Sequence, residues 1–150
     1  MKTCKARTFL RAAMSLAVAV SGNMLVHAQA LTTIHSFTGN NGDGEYPYPY
    51  GRLPFDNNGA LYGTTAGGGT AYNGTVYQLV PPTTGGAWTE NVLYRFAGGA
   101  DGRQPSMGVV FDHIGNLYGS TQFGGNTQAC GGGCGTIFEL SPPSQPGGLW

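Results

Sequence analysis

The chain of 150 residues has 7 basic and 7 acidic side chains, 27 glycines and 9 prolines, where an ordinary globular chain is about 25% charged and roughly 7% glycine. That composition disfavours a helical bundle. Lys2, Lys5, Arg7 and Arg11 crowd the first eleven residues, and from residue 31 onward three arginines face seven acids, a balance of −4 with no lysine, which excludes nucleic-acid binding driven by counterion release and any phosphate cradle that needs a lysine.

In chain order, the basic stretch to Arg11 is followed by an almost unbroken apolar run from Ala12 to Val20, and Ala28-Gln29-Ala30 places small residues where a signal peptidase reads. Residues 1–30 are therefore predicted to be a cleaved secretory signal, taking Cys4 and His27 with it. The apolar run ends at Ser21, Gly22 and Asn23, far short of the ~20 residues that span a bilayer. No transmembrane span is expected after cleavage.

The remainder, 31–150, reads as strand-like runs at 31–37, 51–56, 60–65, 74–80, 88–96, 108–112, 116–121 and 135–140. Asn58-Gly59 and Asn73-Gly74 accept positive backbone dihedrals in tight turns, and Pro81-Pro82 ends a strand by removing amide donors. Gly74 to Val80 is apolar on both faces, as a sandwiched middle strand should be. Glu90 and Arg95 mark 88–96 as a solvated outer strand. No window repeats apolar residues at helical spacing, so the class is all-β.

These runs are repeated. Phe55–Thr65 (FDNNGALYGTT) and Phe111–Thr121 (FDHIGNLYGST) share seven of eleven residues at an offset of 56, and Gly74–Pro82 matches Gly135–Pro143 at an offset of 61. Asp43-Gly44 matches Asp101-Gly102, Phe37 matches Phe96, and Trp88 is answered by Trp150. Tandem four-stranded antiparallel units, roughly 51–96 and 105–150 with a lone outer strand at 31–37, are the pattern of β-propeller blades. About two blades make an incomplete ring, since stacked repeats usually need at least three units. The expectation is a piece of a longer product, or a ring completed by self-assembly.

The ordered blocks LYRFAGGADG (93–102), GVVFDHIGNLYGST (108–121), CGTIFELSPP (134–143) and GGLW (147–150) resemble the Gloeo/Verruco tandem repeat of secreted bacterial proteins with variable C-terminal anchors. The resemblance implies export, with surface attachment in a longer form that carries an anchor. It implies no catalytic residue.

Export bears on Cys130 and Cys134, which enclose three glycines. In an oxidising compartment such a pair more often closes a disulfide loop than binds metal, with free thiols the alternative. Zinc would need about four ligands, and His35 and His113 have no spacing that brings them there. His35 is expected to be a packed side chain and His113 a turn residue. Asp56 and Asp112, repeated once per unit before a glycine turn, are expected to cap those turns rather than to act as acid and base. Asn40, Asn41, Asp43 and Glu45 gather oxygen atoms, but an EF-hand counted from Asn41 would want glycine and glutamate where Tyr46 and Arg52 stand. A solvated turn is expected, with calcium the alternative and no other metal or cofactor.

Tyr46-Pro47-Tyr48-Pro49-Tyr50 holds three rings on a stiff extended backbone, suited to stacking on sugar faces of a glycan or cell-envelope ligand, against plain packing over a sheet edge. The sequence thus points to a secreted β-repeat protein with a binding or structural role and not to an enzyme. The alternatives are a polysaccharide-active hydrolase or lyase using carboxylates such as Asp43, Glu45, Asp101 or Glu139, and a fragment with no independent function.

Overall fold

Short glycine-bounded runs with two-residue alternation can satisfy their backbone groups only by pairing, and they pair here into two antiparallel sheets of four strands each. A computed structural model describes residues 29–48, 50–126, 128–145, 148 and 150. The predicted export signal, apart from Gln29 and Ala30, lies outside the described residues. Residues 32–150 form one compact unit.

The first sheet contains β1 (Gly44–Pro47), β2 (Leu61–Gly68), β3 (Thr75–Val80) and β4 (Thr89–Arg95), in that order. The second contains β5 (Arg103–Pro105), β6 (Val110–Phe111), β7 (Leu117–Phe123) and β8 (Thr136–Leu140). Strands β5 and β6 pair with β7, and β8 pairs with β7 in turn. One 3-10 turn, Gly99–Asp101, precedes β5.

The predicted all-β class and the middle strands are present, and the edges differ. The segment 31–37 belongs to neither sheet, and 51–56 contributes a single bridge, Phe55 to Leu61. The edge of β2 is instead occupied by β1, and that of β7 by β5, neither of which was expected. Both contain a residue with positive φ, Tyr46 at 57° and its counterpart Gln104 at 54°, which breaks the alternation by which a strand is read.

Register assigns the faces. Leu61, Gly63 and Thr65 of β2 stand opposite Leu79, Tyr77 and Thr75 of β3, and define a front face. Leu117, Gly119 and Thr121 stand opposite Leu140, Phe138 and Thr136, the same face of the second sheet. The back face of the first sheet (Tyr62, Val76, with Phe96 beyond β4) packs on the front face of the second (Leu117, Phe138, Leu140) to form the main core. The front face of the first sheet (Leu61, Tyr77, Leu79) is covered by Phe37 and Trp88. The sheets therefore stack head to tail.

Each sheet uses the same polar devices. Thr65 and Thr75 share a hydroxyl hydrogen bond of 2.8 Å, and Thr121 and Thr136 one of 2.9 Å. These buried hydroxyls are satisfied by each other and by backbone, which is what permits threonine inside a sheet stack. The rings of Tyr77 and Phe138 lie over Gly63 and Gly119, where any Cβ would collide with them. Asp56 Oδ1 accepts the amides of Asn58 and Ala60, both at 2.9 Å, and Asp112 Oδ1 accepts those of Ile114 and Asn116, also both at 2.9 Å. The turn-capping role read from the repeat is therefore observed twice. Asp112→Ala should lower stability, and Asp112→Asn by less, since an amide oxygen still accepts two amides; urea midpoints at constant slope measure both.

The five residues that separate the two offsets fall in the β7–β8 connection. Cys130 and Cys134 are bonded there, with Cα atoms 5.3 Å apart, in agreement with the expected disulfide. The loop is tied back to the sheet by Gly124 N–H to Gly132 O and Gly135 N–H to Gly124 O, each 3.0 Å.

Candidate functional site

Three side chains that the sequence did not group meet beside the front face of the first sheet: His35, Asp43 and Glu90, whose ligand-type atoms lie within 4.8 Å of one another. Each is positioned by the fold. His35 stacks edge-on against Phe37 at 4.6 Å, and Phe37 packs on Tyr77 at 4.9 Å. Asp43 closes the 38–43 loop by accepting the amide and hydroxyl of Thr38, both at 2.6 Å. Glu90 follows Trp88 by two residues on β4, opposite Leu79, so alternation turns it to the front face. Glu90 was expected on a solvated edge, but its side chain is only 13% exposed, because the segment ending at Phe37 covers it.

His35 Nε2 lies 3.4 Å from Glu90 Oε2, whereas His35 Nε2, Asp43 Oδ1 and Glu90 Oε1 are buried with no hydrogen-bond partner. A proton shared between the two carboxyls would satisfy both acids. Burial, then hydrogen bonding to Asp43 and its charge, push Glu90 up to about 7, against the opposing pull of Arg95. Burial would raise Asp43 as well, but the hydroxyl and amide of Thr38 outweigh it and hold that carboxyl below its ordinary value. One nitrogen and two carboxylate oxygens are also a donor set for a divalent cation, with positions left for water. The calcium alternative placed Asp43 with Asn40, Asn41 and Glu45; instead Asn40 donates to Thr38 O at 3.1 Å, and Asp43 turns to Thr38 and Glu90.

Glu90 binds its proton more tightly in the folded chain, so its contribution is complete below its ordinary 4.5 and is lost as pH rises through about 7. Asp43 acts oppositely, contributing above its ordinary 3.8 and losing this as pH falls. Stability should therefore decline between about pH 5 and pH 8, and Glu90→Gln, whose amide still donates to Asp43, should flatten the decline. Urea titrations across that range check it; an unchanged slope in Glu90→Gln would remove Glu90 as its source.

The tyrosine segment lies on the other side of β2. Tyr46 and Tyr50 are 69% and 75% exposed, Tyr48 is half-buried, and the Tyr48 and Tyr50 rings are 5.5 Å apart. Tyr50 and Arg52 border an apolar cleft of about 440 Å³ whose floor includes Tyr118, Ser120 and Ile137 of the second sheet. The exposed Tyr50 ring, with Arg52 at the rim of the cleft, is able to stack on a sugar and hold a carboxylate or hydroxyl.

The remaining candidates stay apart. Asp101 accepts the Tyr94 hydroxyl and the Ala97 amide, both at 2.7 Å. Glu45 lies against Gly39 and Gly67. Glu139 is exposed beside Ser141, and His113 is exposed in its turn. Asp43 thus meets Glu90 rather than the acids with which it was grouped as a hydrolase candidate. Only the equivalence of His35 with Tyr94, and of Asp43 with Asp101, signalled the cluster: the Tyr94–Asp101 hydrogen bond occupies the corresponding place in the second unit.

The pattern of one family, the Gloeobacter/Verrucomicrobia repeat, matches residues 23–146. No curated protein and no solved structure matches the chain.

Proposed function

The chain belongs to the Gloeobacter/Verrucomicrobia repeat family, and from that premise we propose that it is an exported structural repeat whose sheets stack like propeller blades and whose tyrosine segment contacts a glycan or another envelope ligand. The observation that carries this reading is the head-to-tail stack, with the back of one sheet on the front of its repeat. A stack of this kind extends by adding like units, which suits a scaffold. Export is supported by the basic, apolar and small-residue succession of residues 1–30 and by a disulfide, a bond that persists in oxidising compartments. The exposed Tyr46 and Tyr50 rings, with Arg52, support the binding half.

The reading is tested by producing the chain in a bacterial host, weighing the exported product and measuring its retention on cell-wall polysaccharide. The expected product begins near Leu31 and is retained, and Tyr46→Ala with Tyr48→Ala and Tyr50→Ala releases it. An unprocessed cytoplasmic product contradicts export, and undiminished retention of the triple variant removes the tyrosines from the account.

A further inference from the structure

We propose that the outer edge of β8 and the back face of the second sheet form a docking surface for a second copy of this chain, which pairs its 31–37 segment with that edge. The inference deepens the stacking reading and rests on it.

The edge comes first. In the first sheet β3 is hydrogen-bonded on both sides, to β2 and to β4, whereas its counterpart β8 is bonded only to β7. The row of amides and carbonyls that β4 satisfies on β3 has no strand on β8 among the described residues, and such an edge is a template for another chain.

The face behind that edge is bare as well. Val76 and Tyr62 on the back of the first sheet are 0% and 3% exposed under the second sheet. Their counterparts at offsets of 61 and 56 are Ile137, which is 80% exposed, and Tyr118, which is half-buried. The apolar cleft floored by Tyr118, Ser120 and Ile137 is thus the space that a stacked sheet fills one unit earlier.

What would fill it is present on the same molecule. The segment ending at Phe37 lies on the first sheet as the end of β4 lies on the second. The Phe37–Tyr77 and Phe96–Phe138 rings are 4.9 and 5.2 Å apart. The His35–Phe37 and Tyr94–Phe96 rings are 4.6 and 5.1 Å apart. Thr38 N–H and Ala97 N–H reach their loop aspartates at 2.6 and 2.7 Å. Yet β4 is bonded into a sheet and 31–37 is not. The front face also carries an unmated ring: Phe111 packs on Tyr62 at 4.9 Å, whereas its counterpart Phe55 is 63% exposed.

One molecule therefore bears both halves of a heterologous contact that it already makes internally. Transposing the β3–β4 register by 61 residues for β3 and 59 for β4 (96 minus 37) sets Thr136 of one copy opposite Ser36 of the next, and Ile137 opposite His35. Repetition of the contact closes a ring or extends a filament.

The test replaces Ile137 with a photoreactive phenylalanine derivative, mixes this variant with isotope-labelled native chain, irradiates, and maps the product by mass. The expected adduct joins position 137 of the unlabelled copy to 31–37, Leu53 or Phe55 of the labelled copy. In parallel, sedimentation of the native chain at high micromolar concentration should show species larger than the monomer, and Ile137→Asp should abolish them. Adducts confined to one chain or to other surfaces, or a native chain that sediments as a folded monomer, would overturn the proposal. Nuclear Overhauser contacts between the Tyr62 and Phe111 rings within one chain report separately on the stack. Their absence would overturn both readings, and their presence without the adduct would overturn only this one.

Discussion

Phe96→Ala is expected to lower the stability of the folded chain by about 3–5 kcal/mol, the range for an aromatic ring removed from a close-packed core. Phe96 is 2% exposed and joins the sheets: its ring meets Tyr94 at 5.1 Å and Phe138 at 5.2 Å, and its amide closes on Gly74 O at 3.1 Å. Since whole domains are held by only about 5–15 kcal/mol, this substitution should leave the chain partly unfolded at ambient temperature. Phe37→Ala, at the equivalent but only half-buried position, should cost clearly less, because water already reaches part of its ring. Guanidinium unfolding of both variants measures the difference. Equal losses would show that the two phenylalanines do not occupy equivalent environments.

Val76→Asp should unfold the chain outright, whereas Ile137→Asp should change the stability of the dilute monomer by no more than about 0.5 kcal/mol. The two residues hold corresponding places on β3 and β8, and the second sheet covers only the first of them. A carboxylate at position 76 would sit among Tyr62, Phe96 and Leu117 with no cation to pair with, and desolvation of an unpaired charge costs several kcal/mol. At position 137 the same group faces water. Circular dichroism in dilute solution separates the outcomes, and a folded Val76→Asp variant would contradict the burial of that face.

The candidate site was only partly legible. Tyr46 and Tyr50 stood out because proline alternation is rare and stiff, and the structure does expose them. The His35–Asp43–Glu90 cluster was not visible, because its members come from a leading segment, a loop and an outer strand whose meeting depends on which face each presents. His35 was read correctly as a packed side chain, and Glu90 was assigned to solvent because an edge strand is usually wet. The aspartate turns were legible since they are local: the capping amides lie within four residues of Asp56 and Asp112.

By itself the sequence determined the all-β class, the two repeated units, the turn caps and the disulfide, because each follows from short-range chemistry: two-residue alternation, glycine dihedrals, an aspartate reaching its own turn, two cysteines four residues apart. Only the tertiary structure decided which faces are covered, that β1 and β5 rather than 51–56 and 108–112 supply the main edge pairing, and that among the described residues β8 has no strand on its outer edge while 31–37 stays outside both sheets. Repeats with nearly the same residues present nearly the same surfaces, so nothing in Val76 or Ile137 themselves says which one is covered. That is fixed by what stacks on them, and stacking is a long-range outcome of burying apolar faces that a single unit cannot shield.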